Sequence, residues 1–181
     1  MKLEKLEEEI EIPSGVDVTI AGGLITAKGP KGENKRVLFD PMVKIEKKDN
    51  KIIVSAVKVT KREKRTIGTF SAHIKNIMMG TTEKFVYKLK VCSGHFPMTV
   101  TATKTDFQVK NFLGESIPRT IKLKQGVDVK VEGDIVVVES SDKEVAGQTA
   151  ADIEQLTRIT NRDRRIFQDG IWLIERFGKH V

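Results

Sequence analysis

The stretch Ser141-Asp-Lys-Glu-Val-Ala-Gly-Gln-Thr-Ala-Ala-Asp-Ile153 has an earlier counterpart in Thr60-Lys-Arg-Glu-Lys-Arg-Thr-Ile-Gly-Thr-Phe-Ser-Ala-His-Ile74. Each opens on a hydroxyl residue with a glutamate three positions on, Glu63 or Glu144, which is the pattern of a helix capping box. Gly68, Ala72 and Ile74 then answer Gly147, Ala151 and Ile153. Upstream of the helices, Val18, Ile25, Ala27 and Gly32 align with Val100, Phe107, Val109 and Gly114 at a constant offset. Asp49, Ile52 and Val54 likewise align with Glu132, Ile135 and Val137. One module is written twice, and such self-similarity decides the fold before any single element does. The expected division is 1–82 and 83–181. The second copy continues past Leu156 into a basic segment that the first lacks.

Within each copy the apolar period changes from two to that of a helix. Ile10 and Ile12, and then Val16, Val18 and Ile20, alternate with polar or small residues, as half-buried strands do. Leu24–Ala27, Val37–Phe39, Val43–Ile45 and Ile52–Val54 complete the first set, with turns at Gly22-Gly23 and Gly29-Pro-Lys-Gly32. Ile67, Phe70, Ile74, Ile77 and Met78 then share one helical face, and Gly80 is the expected stop. The second copy repeats this with strands around Val86–Val91, Thr99–Thr103, Phe107–Lys110, Arg119–Leu123, Val127–Val131 and Ile135–Val138. Its helix presents Val145, Thr149, Ile153 and Leu156 to the core, and Ile171-Trp-Leu-Ile174 reads as one more strand. Strands in runs followed by one helix, twice over, give an α+β class with mainly antiparallel sheets.

The net charge of +7 over 181 residues favours an anionic polymer or surface as partner. Cys92 is the sole cysteine, so a disulfide framework is excluded and a reducing compartment is expected. The charged N-terminal residues do not form a signal peptide. No run approaches the roughly 20 apolar residues that span a bilayer, so a soluble intracellular protein without a membrane role is expected.

Catalytic chemistry finds little support. His73, His95 and His180 have no metal-ligand spacing. Cys92-Ser-Gly-His95 lacks the second cysteine of a redox pair and a helix start to activate the thiol. Gly29-Pro-Lys-Gly32 lacks the length and ending of a phosphate-binding loop. No metal, cofactor or small-molecule substrate is indicated, and the chain does not read as an enzyme.

The basic residues carry more. Lys58, Lys61, Arg62, Lys64 and Arg65 crowd the start of the first helix, where cations oppose the helix dipole. The segment Thr157-Arg158-Ile-Thr-Asn161-Arg162-Asp-Arg164-Arg165-Ile-Phe-Gln-Asp-Gly170 is arginine-rich, and the planar guanidinium suits bidentate phosphate contact. Asn161, Thr160 and Gln168 add neutral donors, Gly170 permits close backbone approach, and Ile159, Ile166 and Phe167 are expected to anchor the segment to the core. Helix-turn-helix, zinc-finger and aromatic single-strand motifs are missing, which leaves folded RNA, recognised by shape and phosphate, as the favoured partner. The other reading is a protein-interaction module whose basic faces grip acidic partners.

The duplicated module, the helix Val145-Ala-Gly-Gln148-Thr-Ala-Ala151-Asp-Ile153, the arginine turn and the following Asp-Gly-Ile-Trp together resemble the family of large-subunit ribosomal protein six. The ending Arg162-Asp-Arg-Arg-Ile-Phe-Gln-Asp-Gly170-Ile is similar to its archaeal and eukaryotic branch. The resemblance covers about residues 8–177. It implies a structural protein of the cytoplasmic ribosome that binds large-subunit ribosomal RNA near the sarcin–ricin stem, beside neighbouring ribosomal proteins and close to where translational GTPases dock. Carried onto this chain, the RNA contacts are Arg158, Asn161, Arg162, Arg164, Arg165 and Gly170. Lys104 and Lys110 are weaker candidates, and for Lys61, Arg62, Lys64 and Arg65 contact with RNA, with another protein or with solvent alone stays open.

Overall fold

The computed structural model describes residues 3–181, which fall into two units that divide between Lys84 and Phe85. In the first, strands β1 (Leu3–Glu11), β2 (Asp17–Ala21), β3 (Leu24–Gly29), β4 (Gly32–Val37), β5 (Val43–Lys48) and β6 (Lys51–Val59) precede helix α1 (Lys61–Thr82). They form two antiparallel sheets of order β1-β6-β5 and β2-β3-β4. Ile52, Val54 and Ala56 of β6 alternate inward onto Ile67, Phe70, Ile74, Ile77 and Met78, all five of them buried on α1 as their spacing requires.

The second unit repeats the plan with β7 (Phe85–Cys92), β8 (Thr99–Ala102), β9 (Asp106–Lys110), a short 3-10 turn (Phe112–Gly114), β10 (Arg119–Lys122), β11 (Val127–Glu132), β12 (Ile135–Ser140) and helix α2 (Lys143–Leu156). Two strands follow that have no counterpart, β13 (Gly170–Arg176) and β14 (Lys179–His180). The sheets are β10-β9-β8 and β11-β12-β7-β13-β14. The first three strands of the larger sheet, β11-β12-β7, reproduce β5-β6-β1. The extension therefore adds β13 and β14 along the edge of β7 that its counterpart β1 leaves open. The core gathers Phe85 and Leu89, Val136 and Val138, Phe107, Val109 and Phe112, Ala146, Ala150 and Ile153, and Ile171.

Several local expectations are corrected. Helix α1 does not stop at Gly80 but runs to Thr82, capped by the Glu83 N–H on the Met79 carbonyl. The Thr81 carbonyl near its end accepts from Lys31 N–H at 2.9 Å. That closeness requires Gly29, where a Cβ would stand 2.7 Å from the same oxygen. The strand read at Val37–Phe39 lies at Gly32–Val37, and Phe39 is 74% exposed; the charged run Glu33–Arg36 concealed it because hairpin pairing to β3, not apolar alternation, holds it. The second helix is capped by Asp142, whose side chain accepts from Glu144 N–H at 2.8 Å, not by Ser141. Its deepest residues are Ala146, Thr149, Ala150 and Ile153, with Val145 and Leu156 only partly buried.

Candidate RNA-binding loop

Helix α2 ends at Leu156, and the arginine segment that follows is a loop fastened at both ends. Buried Thr157 donates to the Glu154 carbonyl at 3.2 Å and accepts from the Ile171 N–H at 2.9 Å. One hydroxyl thus joins the end of α2 to the start of strand β13. The thirteen residues 158–170 between them form a surface loop whose ends meet, the arrangement of an Ω-loop. Inside it, Asp163 accepts from Arg165 N–H at 3.0 Å, and its carbonyl accepts from Ile166 and Phe167 N–H. Asn161 takes a left-handed backbone with φ 59°, a conformation that asparagine tolerates better than most residues.

Asp169 holds the loop from beneath. Only 3% exposed, its Oδ1 accepts from Gly94 N–H at 2.5 Å and His95 N–H at 3.0 Å, and its Oδ2 lies 2.5 Å from His95 Nδ1. Burial works to raise this carboxyl, but the hydrogen bonds from His95 and Gly94 and the charge of His95 outweigh it, so its pKa lies below the usual aspartate range. The His95 ring stacks on Phe167 with centroids 4.6 Å apart, and the Arg162 guanidinium lies over Phe167 at 4.8 Å. A continuous run of contacts, Asp169 to His95 to Phe167 to Arg162, therefore positions one arginine from a buried carboxylate. Nothing local in the sequence announces this clasp, because the partners of Asp169 lie more than seventy positions away.

Arg119, legible in sequence only as a strand residue, secures the start of the loop. It forks onto Glu115 at 2.8 and 2.5 Å, donates to the carbonyls of Leu156 at 2.8 Å and Arg158 at 3.2 Å, and stacks on Phe112. The bond to Leu156 satisfies a carbonyl that the helix end leaves without an intrahelical partner, and the bond to Arg158 ties down the first residue of the loop.

The loop arginines are not equivalent. Arg165 pairs with Asp163 at 2.7 Å, and this carboxylate raises its pKa. No ion pair occupies Arg158, Arg162 or Arg164 among the described residues, and all three are exposed. Of the apolar residues expected to anchor the loop, Ile159 packs on the core and Phe167 on His95, whereas Ile166 is 65% exposed. Gly170, with φ 151°, gives its space to Trp172, whose indole atoms lie 3.3 Å from where a Cβ would stand.

The weaker candidates separate. Arg119 pairs with Val109 in the β9–β10 ladder, so Lys110 sits at the loop end of that sheet. Lys104 lies in the turn before β9, beyond the far end of a five-residue strand, about 13 Å away at about 3.3 Å per residue. In the first unit, Lys58, Lys61, Arg62, Lys64 and Arg65 are all exposed at the start of α1. Glu63 among them is engaged in the capping box with Thr60, its Oε2 accepting from Thr60 N–H at 2.8 Å. Among the described residues, no helix is long and apolar enough to cross a membrane.

Fold and loop define a class: tandem α+β modules of one design, the second extended by two strands and carrying a pinned arginine loop. The model of the family described as "Ribosomal protein L6" matches twice, over residues 12–84 and 96–170, once in each unit. The chain is 43% identical over 174 residues to the large ribosomal subunit protein uL6 of Methanococcus vannielii, covering 96% of each chain. It is 42% identical over 174 residues to the protein of the same name from Methanothrix thermoacetophila, covering 96% of this chain and 99% of that one. The chain belongs to the ribosomal protein L6 family.

Proposed function

We propose that this protein is a structural constituent of the large subunit of the cytoplasmic ribosome, without catalytic activity of its own. In this reading its second repeat, 83–181, binds large-subunit ribosomal RNA near the sarcin–ricin stem, beside the site where translational GTPases dock. The observation that carries it is the fastened loop with Arg158, Arg162 and Arg164 exposed and in no close ion pair among the described residues, the charge of Arg162 acting only at longer range on Glu115. Guanidinium groups held in place and left out of close ion pairs are suited to phosphate oxygens. Arg165, already matched by Asp163, contributes less, while exposed Asn161 and Lys110 are further candidate contacts, with Lys104 at the margin; Gly170, buried under Trp172, shapes the loop end and does not itself meet RNA. The basic start of α1, with Lys61, Arg62, Lys64 and Arg65, is left for a second stretch of RNA or a neighbouring ribosomal protein.

Binding of this kind releases counterions, so about six phosphate contacts on a duplex-like stem would give a log–log salt slope near −5. The test is competition for the protein between a sarcin–ricin stem fragment and an unrelated RNA duplex of equal length, with heparin as a third competitor. Preference for the stem is expected. Equal competition by all three would reject the reading and favour a generic basic surface for acidic partners.

A further inference from the structure

A groove of about 1230 Å³ opens at the mouth of the arginine loop, entirely within the second unit. It exceeds the roughly 300–1,000 Å³ of clefts that hold drug-sized molecules, so a single nucleotide fits in it. Trp172, the chain's one tryptophan, stands on its wall and is 37% exposed. Its Nε1 donates to the Gln168 carbonyl at 3.1 Å, so the polar edge of the indole is already satisfied. Its ring lies against the bare backbone of Gly170. The indole is thus fixed in place with aromatic surface left uncovered, although Ile171 beside it on the strand is fully buried.

The rest of the lining complements a nucleotide. Arg158 and Arg164 reach the same groove without acidic partners among the described residues. Gln168 donates from Nε2 to the Arg165 carbonyl at 3.3 Å, which leaves its Oε1 able to accept, and Ser93 is also part of the lining. Two acids line the groove as well: Asp169, whose oxygens are turned to Gly94 and His95, and Glu154, whose Oε1 accepts from the Leu173 N–H at 3.5 Å. An inorganic phosphate would use the arginines and leave the indole idle. RNA recognition that goes beyond phosphate targets bases splayed out of helices, stacked on aromatic rings and hydrogen-bonded at their edges.

Resting on the ribosomal-RNA reading above, we infer that this groove receives one unpaired nucleotide of the bound RNA, its base on Trp172 and its phosphate between Arg158 and Arg164. The loop then grips the stem by its backbone while the groove fixes the position along it.

The test uses the unaltered full chain and varies the RNA, so folding of a variant is not at issue. The sarcin–ricin stem fragment is titrated while the fluorescence of the sole tryptophan is followed. The titration is repeated with each unpaired nucleotide replaced in turn by an abasic residue. A saturable change in Trp172 fluorescence is expected with the intact fragment. One abasic substitution should abolish that change and weaken binding about tenfold. Binding that leaves Trp172 fluorescence unmoved, or a change indifferent to every abasic substitution, overturns the groove assignment and leaves the ribosomal-RNA reading standing. Failure of the fragment to bind at all overturns both.

Discussion

Asp169 shows how much of the site rests on single side chains. A buried carboxylate that accepts two backbone N–H groups and faces an imidazole contributes only while it is ionised. Its folded-state pKa is depressed below the ordinary value of about 3.9, so its contribution is complete above that value and is lost as pH falls through the lowered one. Asp169→Asn should lower the unfolding free energy by about 1.5–3 kcal/mol at pH 7, the range for hydrogen bonds to a charged group. The gap between variant and wild type in urea titrations should begin to narrow as pH falls below the ordinary aspartate value of about 3.9, where the unfolded chain takes up the proton first, and close as it passes the lowered folded-state value. A gap constant from pH 7 to pH 3 would deny the carboxylate this role. Gly170→Ala meets both a positive φ and the Trp172 ring, and a cost of about 1–3 kcal/mol is expected, visible in the same titrations. Ser71 points the other way: its hydroxyl is buried in α1 without a partner among the described residues. Ser71→Ala should therefore leave the midpoint unchanged or raise it slightly, because an unsatisfied polar group is removed from the core. Asp169 and Ser71 did not stand out in the sequence, since a long-range carboxylate clasp and an orphaned hydroxyl depend on neighbours distant along the chain; Gly170 did, but as an RNA contact and not as the seat of the Trp172 ring.

At the scale of elements, the two helices were legible because a 3.6-residue apolar period and a cap are both local. Thr60 and Glu63 form the capping box that their spacing implies. In α2 the same pattern misleads by one residue, since Ser141-Asp142 offers two candidate caps and the backbone turns inward at the second. Asp142→Ala should cost about 0.5–2 kcal/mol, the usual loss of an N-cap, measured by thermal or urea unfolding. Ser141→Ala should cost clearly less, and the reverse order would restore Ser141 as the cap. Strand β4 was placed wrongly because its residues, Glu33 to Arg36, are charged and carry no period. The loop 158–170 reads in sequence as a basic tail, for nothing local announces that Thr157 will bond to Ile171. Its chemical character was legible nonetheless, because arginine is recognisable wherever the backbone carries it. Once β13 is seen as a continuation of the β7 sheet, the loop becomes the connection between an ancestral module and its added strands.

At the scale of the molecule, duplication makes the two units a natural experiment. Each has a helix on paired antiparallel sheets and matches the family model once, so the shared plan accounts for folding. The extension, present in one copy, is the natural place for the function that distinguishes it. The tandem α+β plan was legible because alternation, caps and turns recur at a fixed offset, whereas the choice among arginines was not, because pairing of Arg165 with Asp163 and freedom of Arg158, Arg162 and Arg164 are matters of geometry. The central claim is that these three free arginines, and not the general basicity of the chain, hold the RNA. Its most direct test is the salt dependence of binding to the sarcin–ricin stem fragment. Wild type is compared with Arg158→Ala/Arg162→Ala/Arg164→Ala and with Arg165→Ala, after circular dichroism has verified that each is folded. At roughly 0.7–0.9 in slope per phosphate contact, the triple variant should flatten the log–log slope by about 2–3, and Arg165→Ala by less than one. A triple variant that keeps the wild-type slope and affinity would contradict the account and move the RNA-binding surface elsewhere on the molecule.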